Sequence, residues 1–338
     1  MKRREFITLT AAAILAAQRQ ASGQGSERLR QVAIFSALPL GDPVALTRLA
    51  AVSSRLKDLG WVEGRNIAYE RILSNVDPAS RAAAAKEVIA RRPDIILTSS
   101  TPDTAALLKE TRSIPIVFST SADPVGSGFV QSLARPGGNA TGFTNSHASM
   151  GGKWLEILKE IAPRITRVGV LFNPDTAPRN GDFYLGPMRE LAQGFGVEVF
   201  PAPVRDVAAI TSTIAAYAGE PPGGFVITPD SFTVAHRLEI AAAAAQYRVP
   251  AIYPYYYFMT AGGLISYGFS YDASSPEKSE AVITQVEYID LILRGASPAD
   301  LPVRSPRNYE LLINIKVATA LGLTVPPALL ARADKVIE

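Results

Sequence analysis

Short runs rich in Val, Ile and Leu alternate with helix-length amphipathic stretches along this chain, and that alternation constrains the fold more than any other feature. Residues 32–36 read as a buried strand. Over 45–59, Leu46, Leu49, Val52, Leu56 and Leu59 are spaced by threes and fours, as on one face of a helix, and Gly60 ends it. Strands are expected over 66–71, 94–98 and 115–119, with helices over 79–90 and 102–109 between them. The turn cluster Arg135-Pro136-Gly137-Gly138-Asn139 interrupts the pattern. It restarts with strands over 167–172, 197–202, 225–228, 250–253 and 264–267, and helices over 183–195, 207–218, 234–246 and 277–294. Residues 299–303 read as an extended linker, and 309–315 and 316–321 close the chain.

Strand–helix alternation at this spacing implies right-handed βαβ units and parallel sheets. Two such runs, divided near residue 145, imply an α/β fold of two doubly wound, Rossmann-like lobes with a ligand cleft between them. The expected first lobe is 30–145 plus about 272–300, and the second is 146–271 plus about 305–338. Three crossover segments join them, near 141–148, 267–275 and 298–310.

Met1-Lys2-Arg3-Arg4-Glu5-Phe6-Ile7 is a basic start with twin arginines, followed by an apolar stretch over 7–17 and the small-residue segment Gln20-Ala21-Ser22-Gly23. This is the layout of an export signal over residues 1–23, with the twin-arginine route as one option. The apolar stretch is shorter than the about 20 residues a membrane span needs. An amphipathic helix of a cytosolic protein is the plainer alternative, but no 3.6-residue pattern runs through the stretch. Cleavage is expected after Ala21 or Gly23, with release into the periplasm.

The chain has 34 basic and 31 acidic residues. Removing 1–23 takes away Lys2, Arg3, Arg4, Arg19 and Glu5 and leaves the two signs in equal number. A neutral chain without basic clusters argues against nucleic acid as a partner. Cysteine is absent, which excludes disulfides, thiolate metal sites, thiol catalysis and the lipid-modified cysteine of a lipoprotein.

Catalytic machinery is missing from the pattern. His147 and His236 are the two histidines, one in a polar turn and one at a helix start, and no metal-ligand spacing surrounds either. There is no Gly-x-Ser-x-Gly elbow, no P-loop and no Gly-x-Gly-x-x-Gly after the first strand. No enzyme activity, cofactor or metal is expected.

Ligands of open α/β sheets bind outside the C-terminal ends of the strands. The strand over 94–98 ends in Ser99-Ser100-Thr101-Pro102, which reads as a helix cap. One hydroxyl suffices for a cap, so Ser99, Ser100 and Thr101 are also candidates for holding a carboxylate at the helix N-terminus. The next strand ends in Ser119-Thr120-Ser121-Ala122-Asp123-Pro124, where Ser119 and Thr120 repeat the hydroxyl pattern. Asp123 is either a turn former or the partner of a ligand ammonium. Asp230, in Thr228-Pro229-Asp230, is either a helix cap or that partner from the other lobe. Late aromatics cluster at Tyr253, Tyr255, Tyr256, Tyr257, Phe258 and Tyr267. From these Tyr253 and Tyr267 are taken as ring contacts, and Thr144 and Asn173 as polar contacts near the crossover and a strand end.

Several segments, in order, carry a family resemblance: Ile114-Pro115-Ile116-Val117-Phe118, Ala122-Asp123-Pro124-Val125-Gly126, Leu133-Ala134-Arg135-Pro136-Gly137-Gly138-Asn139, Val168-Gly169-Val170-Leu171-Phe172-Asn173-Pro174, Ala261-Gly262-Gly263-Leu264-Ile265-Ser266-Tyr267-Gly268 and Ala320-Leu321-Gly322-Leu323. From about residue 30 to the end the chain resembles ABC transporter substrate-binding proteins of the tryptophan/tyrosine-binding type. The resemblance implies a type I periplasmic-binding-protein fold. It also implies capture of a small molecule, such as an amino acid or aromatic compound, by a monomer that delivers it to an ABC permease in the inner membrane. A ligand sensor for a signalling receptor is the second reading, and an exported α/β enzyme the third.

Overall fold

The computed structural model describes residues 28–145, 147–219, 221–269 and 276–338. The expected export signal lies outside these residues, as does the chain at 270–275 where the second crossover is expected.

The first sheet has the order β2-β1-β3-β4-β5 and is parallel throughout. Its strands are β1 (Arg30–Ser36), β2 (Ile67–Leu73), β3 (Ile95–Thr98), β4 (Ile116–Ser121) and β5 (Ala140–Thr144). Helices α1 (Pro43–Asp58), α2 (Pro78–Ala90) and α3 (Thr101–Glu110) connect them. Each helix starts on the same chemistry. Asp42, Asp77 and Ser100 are N-caps whose side chains accept first-turn N–H groups, and a proline follows within the first two positions. The buried face of α1 carries Ala51, Val52 and Leu56, whereas Leu46 and Leu59, expected inside, are exposed. β5, expected as crossover, is a fifth strand. It approaches β4 so closely that a Cβ on Gly142 would stand 1.9 Å from the Phe118 carbonyl oxygen.

The second sheet has the order β12-β11-β10-β9-β8-β6-β7. It comprises β6 (Arg167–Phe172), β7 (Glu198–Pro203), β8 (Gly223–Ile227), β9 (Ala251–Tyr253), β10 (Ile265–Phe269), β11 (Tyr309–Asn314) and β12 (Lys335–Ile337). β11 runs antiparallel to β10, and the other pairings are parallel. Helix α4 (Met150–Ile161), a segment to which the alternation assigned nothing, enters this lobe and packs on α5 (Asp182–Ala192), β8 and β9. A Cβ on Gly151 would meet the Tyr184 carbonyl at 2.6 Å, so glycine at the helix start permits the α4–α5 approach. α6 (Val207–Ala215) follows β7. The helix expected over 234–246 is two, α7 (Ser231–Ala235) and α8 (Arg237–Gln246), with His236 ending one and starting the next. A short α9 (Tyr257–Thr260) follows β9.

Helix α10 (Glu280–Leu293) returns to the first sheet, packing on α1 and across β3, β4 and β5. The chain then pairs Arg304 with Phe143 before entering β11, and α11 (Ile315–Ala320) and α12 (Pro327–Leu330) finish the second lobe. Apolar contact continues between the lobes near the crossovers, where Phe143 packs edge-on against Phe269 at 5.9 Å, and Phe269 in turn meets Tyr255 of its own lobe at 5.5 Å.

Candidate functional site

The C-terminal ends of β1, β3 and β4 face the ends of β6, β8 and β9, and a void of about 50 Å³ lies between them. From the first lobe it is lined by Ser36, Arg48 on α1, Ser99 to Asp103 at the start of α3, and Thr120. From the second lobe come Thr176, Pro229 to Ser231, Val234, Tyr255 and Tyr257. A second void, about 50 Å³ and largely apolar, runs beneath α1 inside the first lobe and shares Ser36, Leu38, Arg48 and Ser99 with the first.

The hydroxyl cluster divides its work. Ser100 Oγ accepts the Asp103 N–H at 3.2 Å and caps α3. Thr101 Oγ1 accepts the Ala122 N–H at 3.0 Å, and Thr120 Oγ1 donates to the Ser99 carbonyl, so both tie β4 to α3. Ser99 lines both voids, is half-buried, and its hydroxyl has none of these duties. Ser119 lines the apolar void, with Oγ 3.4 Å from the Thr98 carbonyl.

Two buried carboxylates border the interlobe void. Asp103 stands 3.3 Å from the Arg81 guanidinium, itself buried. Burial pushes its carboxyl up to about 6, opposed by the hydroxyls of Ser100 and Ser74 and by Arg81. Asp230 caps α7, where its Oδ1 accepts the Thr233 N–H and the Thr176 hydroxyl, both at 2.9 Å. Its Oδ2 accepts the Asn173 N–H at 3.1 Å and the Thr228 hydroxyl at 3.3 Å. Burial raises this carboxyl too, to about 6, against the pull of those donors. Asp230 thus offers an ammonium its negative charge and few open lone pairs.

The remaining sequence candidates lie elsewhere. Asp123 lines neither void; it adopts φ 47°, accepts the Gly126 N–H at 3.0 Å and pairs across the lobes with Arg179 at 2.6 Å. Asn173 shapes the turn after β6, accepting the Asp175 N–H at 2.8 Å. Thr144 is at the crossover, its N–H on the Arg304 carbonyl at 2.8 Å. Tyr253 is core, stacked on Phe258 at 5.1 Å, and Tyr267 stacks on Tyr309 at 5.8 Å beneath α4. The rings at the cleft are Tyr255 and Tyr257, in mutual contact at 5.1 Å, and Asn145 Nδ2 donates to the Tyr255 hydroxyl at 2.8 Å.

Arg48 went unread in the sequence, although a charge inside the stripe formed by Ala45, Leu49 and Val52 signals a polar duty. Its guanidinium lies near enough to Tyr255 and Tyr257 to pull against the rise that burial imposes on their hydroxyls. His147 and His236 line neither void. Among the described residues no cluster of three metal-ligating side chains occurs, and no helix is long and apolar enough to cross a membrane.

Two α/β lobes around a mixed polar and apolar cleft suit reversible capture of a small molecule. The family described as ABC transporter substrate binding protein matches residues 33–337. The chain belongs to that family. This substrate-binding protein is 26% identical over 268 residues to the tyrosine-binding protein of Clostridioides difficile, across 79% of this chain and 74% of that one. A conserved domain protein from Vibrio cholerae superposes with a TM-score of 0.80 at 27% identity, over 91% of this chain and 100% of the other. An ABC domain from Streptococcus pneumonia in complex with L-Trp superposes at 0.79 and 21% identity, again over 91% and 100%. The substrate-binding protein therefore has the two-lobed periplasmic-binding fold, and its family serves ABC permeases outside the cytoplasm by binding solutes.

Proposed function

We propose that this protein captures an aromatic amino acid between its lobes and delivers it to an ABC permease, performing no chemistry. The observation that carries this reading is the pair of adjacent voids, one polar at the α3 N-terminus and one apolar beneath α1, with Arg48 and Ser99 lining both. The ligand carboxylate meets the α3 N-terminus, the Ser99 hydroxyl and Arg48, where helix dipole and guanidinium act together. The ammonium faces Asp230, Tyr255 and Tyr257, where a carboxylate charge and ring faces both favour a cation. The ring enters the apolar void. The name of the Clostridioides relative and the ligand in the Streptococcus structure agree with this class.

We further propose that residues 1–23 are an export signal and that the mature protein is periplasmic and unlipidated, on the strength of the twin arginines and the absence of cysteine. N-terminal sequencing of the secreted protein should find a start between residues 22 and 26, and an intact Met1 contradicts export.

A thermal-shift screen with amino acids, purines and polyols tests the ligand class. A ligand at 100 times its Kd adds about 2.7 kcal/mol. Stabilisation by tyrosine, tryptophan or phenylalanine supports the proposal; stabilisation by purines or polyols and by no amino acid overturns it.

A further inference from the structure

Asn145 follows the last residue of β5, where the chain leaves the first lobe, and it is buried. Its amide donates at 2.8 Å to the hydroxyl of Tyr255, a ring of the second lobe that lines the cleft. The same stretch of chain reaches Tyr255 by a second route, since Phe143 packs on Phe269 and Phe269 on Tyr255. Tyr255 is thus held directly at its hydroxyl and, through Phe269, at its ring.

The chain returning to the second lobe between α10 and β11 is bonded to that stretch as well. Arg304 donates its N–H to the Gly142 carbonyl at 2.9 Å and accepts the Thr144 N–H at 2.8 Å. These two connections between the lobes therefore move as one piece, which carries Phe143 and Asn145. On the second lobe, a Cβ on Gly268 would stand 1.8 Å from the Pro254 carbonyl oxygen, so the backbone entering Tyr255 lies hard against β10. A change in lobe angle displaces Asn145 relative to that backbone, and the Tyr255 side chain must follow or leave a buried hydrogen bond unmade.

Ring orientation matters at the cleft, because an aromatic ring attracts a cation over its face and not at its edge. Resting on the amino acid reading above, we propose that Asn145 is a positioning residue for the ligand site. By holding the Tyr255 hydroxyl it sets that ring against the ligand ammonium at the lobe angle in which Asp42 and Arg237 meet, and so couples ligand contact to closure.

Calorimetric titration with L-tyrosine and L-tryptophan tests this on the wild type, Asn145→Leu, Tyr255→Phe and the double variant, with each melting temperature measured without ligand. Either single change should lower affinity about tenfold. The double variant should lose no more than about twofold beyond either single one, because both act through one bond. Asn145→Ala keeps the test open should Asn145→Leu fold poorly. A lowered melting temperature with affinity unchanged at Asn145, or losses that multiply in the double variant, overturns the coupling and leaves the amino acid reading intact. Binding of neither amino acid by the wild type overturns that reading and this inference with it.

Discussion

Arg237 on α8 donates to Asp42, the N-cap of α1, at 2.7 Å, and the two side chains are 11% and 8% exposed. The other oxygen of Asp42 accepts the Val44 and Ala45 N–H groups at 2.8 and 3.2 Å. One carboxylate therefore starts the helix that carries Arg48 and also joins the lobes across the cleft. Arg237 is held in turn by the Val234 carbonyl at 3.0 Å.

The pair forms only when the lobes meet, so its loss should weaken the closed state. Arg237→Met is expected to reduce ligand affinity about tenfold, or 1.4 kcal/mol, mainly through faster release. Stopped-flow dissociation measures this. An unchanged release rate shows that the pair does not hold the lobes together.

The hydroxyls should separate cleanly by role. Ser99→Ala is expected to lower affinity by about tenfold, since a bond to a charged group contributes about 1.5–3 kcal/mol, with little change in melting temperature. Ser100→Ala removes the α3 cap and should lower stability by about 1 kcal/mol. Calorimetry and thermal melts on both variants check the division; the reverse pattern would place the ligand contact on Ser100.

Asp230→Asn is expected to lower affinity at least about tenfold and also the melting temperature, because an amide then faces donors that the carboxylate accepted. Asp123→Asn removes the charge facing Arg179, which is largely exposed. Such pairs contribute about 0–1 kcal/mol, so affinity should fall less than about fivefold. Titrating both variants compares them, and a larger loss at Asp123 contradicts the geometry.

Asp103 and Asp230 both have carboxyls raised to about 6. The folded protein holds these protons more tightly than the unfolded chain, whose carboxyls titrate near about 4. Their stabilising contribution is present below about pH 4 and is lost as pH rises through about 6. Replacing Asp103 by Asn removes that falling contribution. The stability of the variant relative to wild type should therefore rise between pH 5 and pH 7, as followed by urea denaturation; a relative fall contradicts the raised carboxyl.

Local chemistry made part of this readable. Asp42-Pro43, Asp77-Pro78 and Ser100-Thr101-Pro102 announce helix starts through short-range capping, so the mouth of the first sheet was legible. α4 was not, because Gly151 and Gly152 open a helix whose tolerance for them comes from contact with α5, a tertiary cause. Tyr253 and Tyr255 illustrate the same limit at the site. Tyr253 ends β9 and turns into the core, whereas Tyr255 lies beyond the strand, where the chain swings its ring to the cleft. Gln285 lines the void beneath α1 only because α10 crosses back to the first lobe, which no local pattern reveals.

Titration calorimetry with an aromatic amino acid, and with the amine that remains when its carboxylate is removed, tests the cleft most directly. The amino acid should bind one to one, and the amine at least about a hundredfold more weakly, because the α3 N-terminus, Ser99 and Arg48 lose their anion. Equal binding of the two would contradict the assignment of the ligand to this cleft in this orientation.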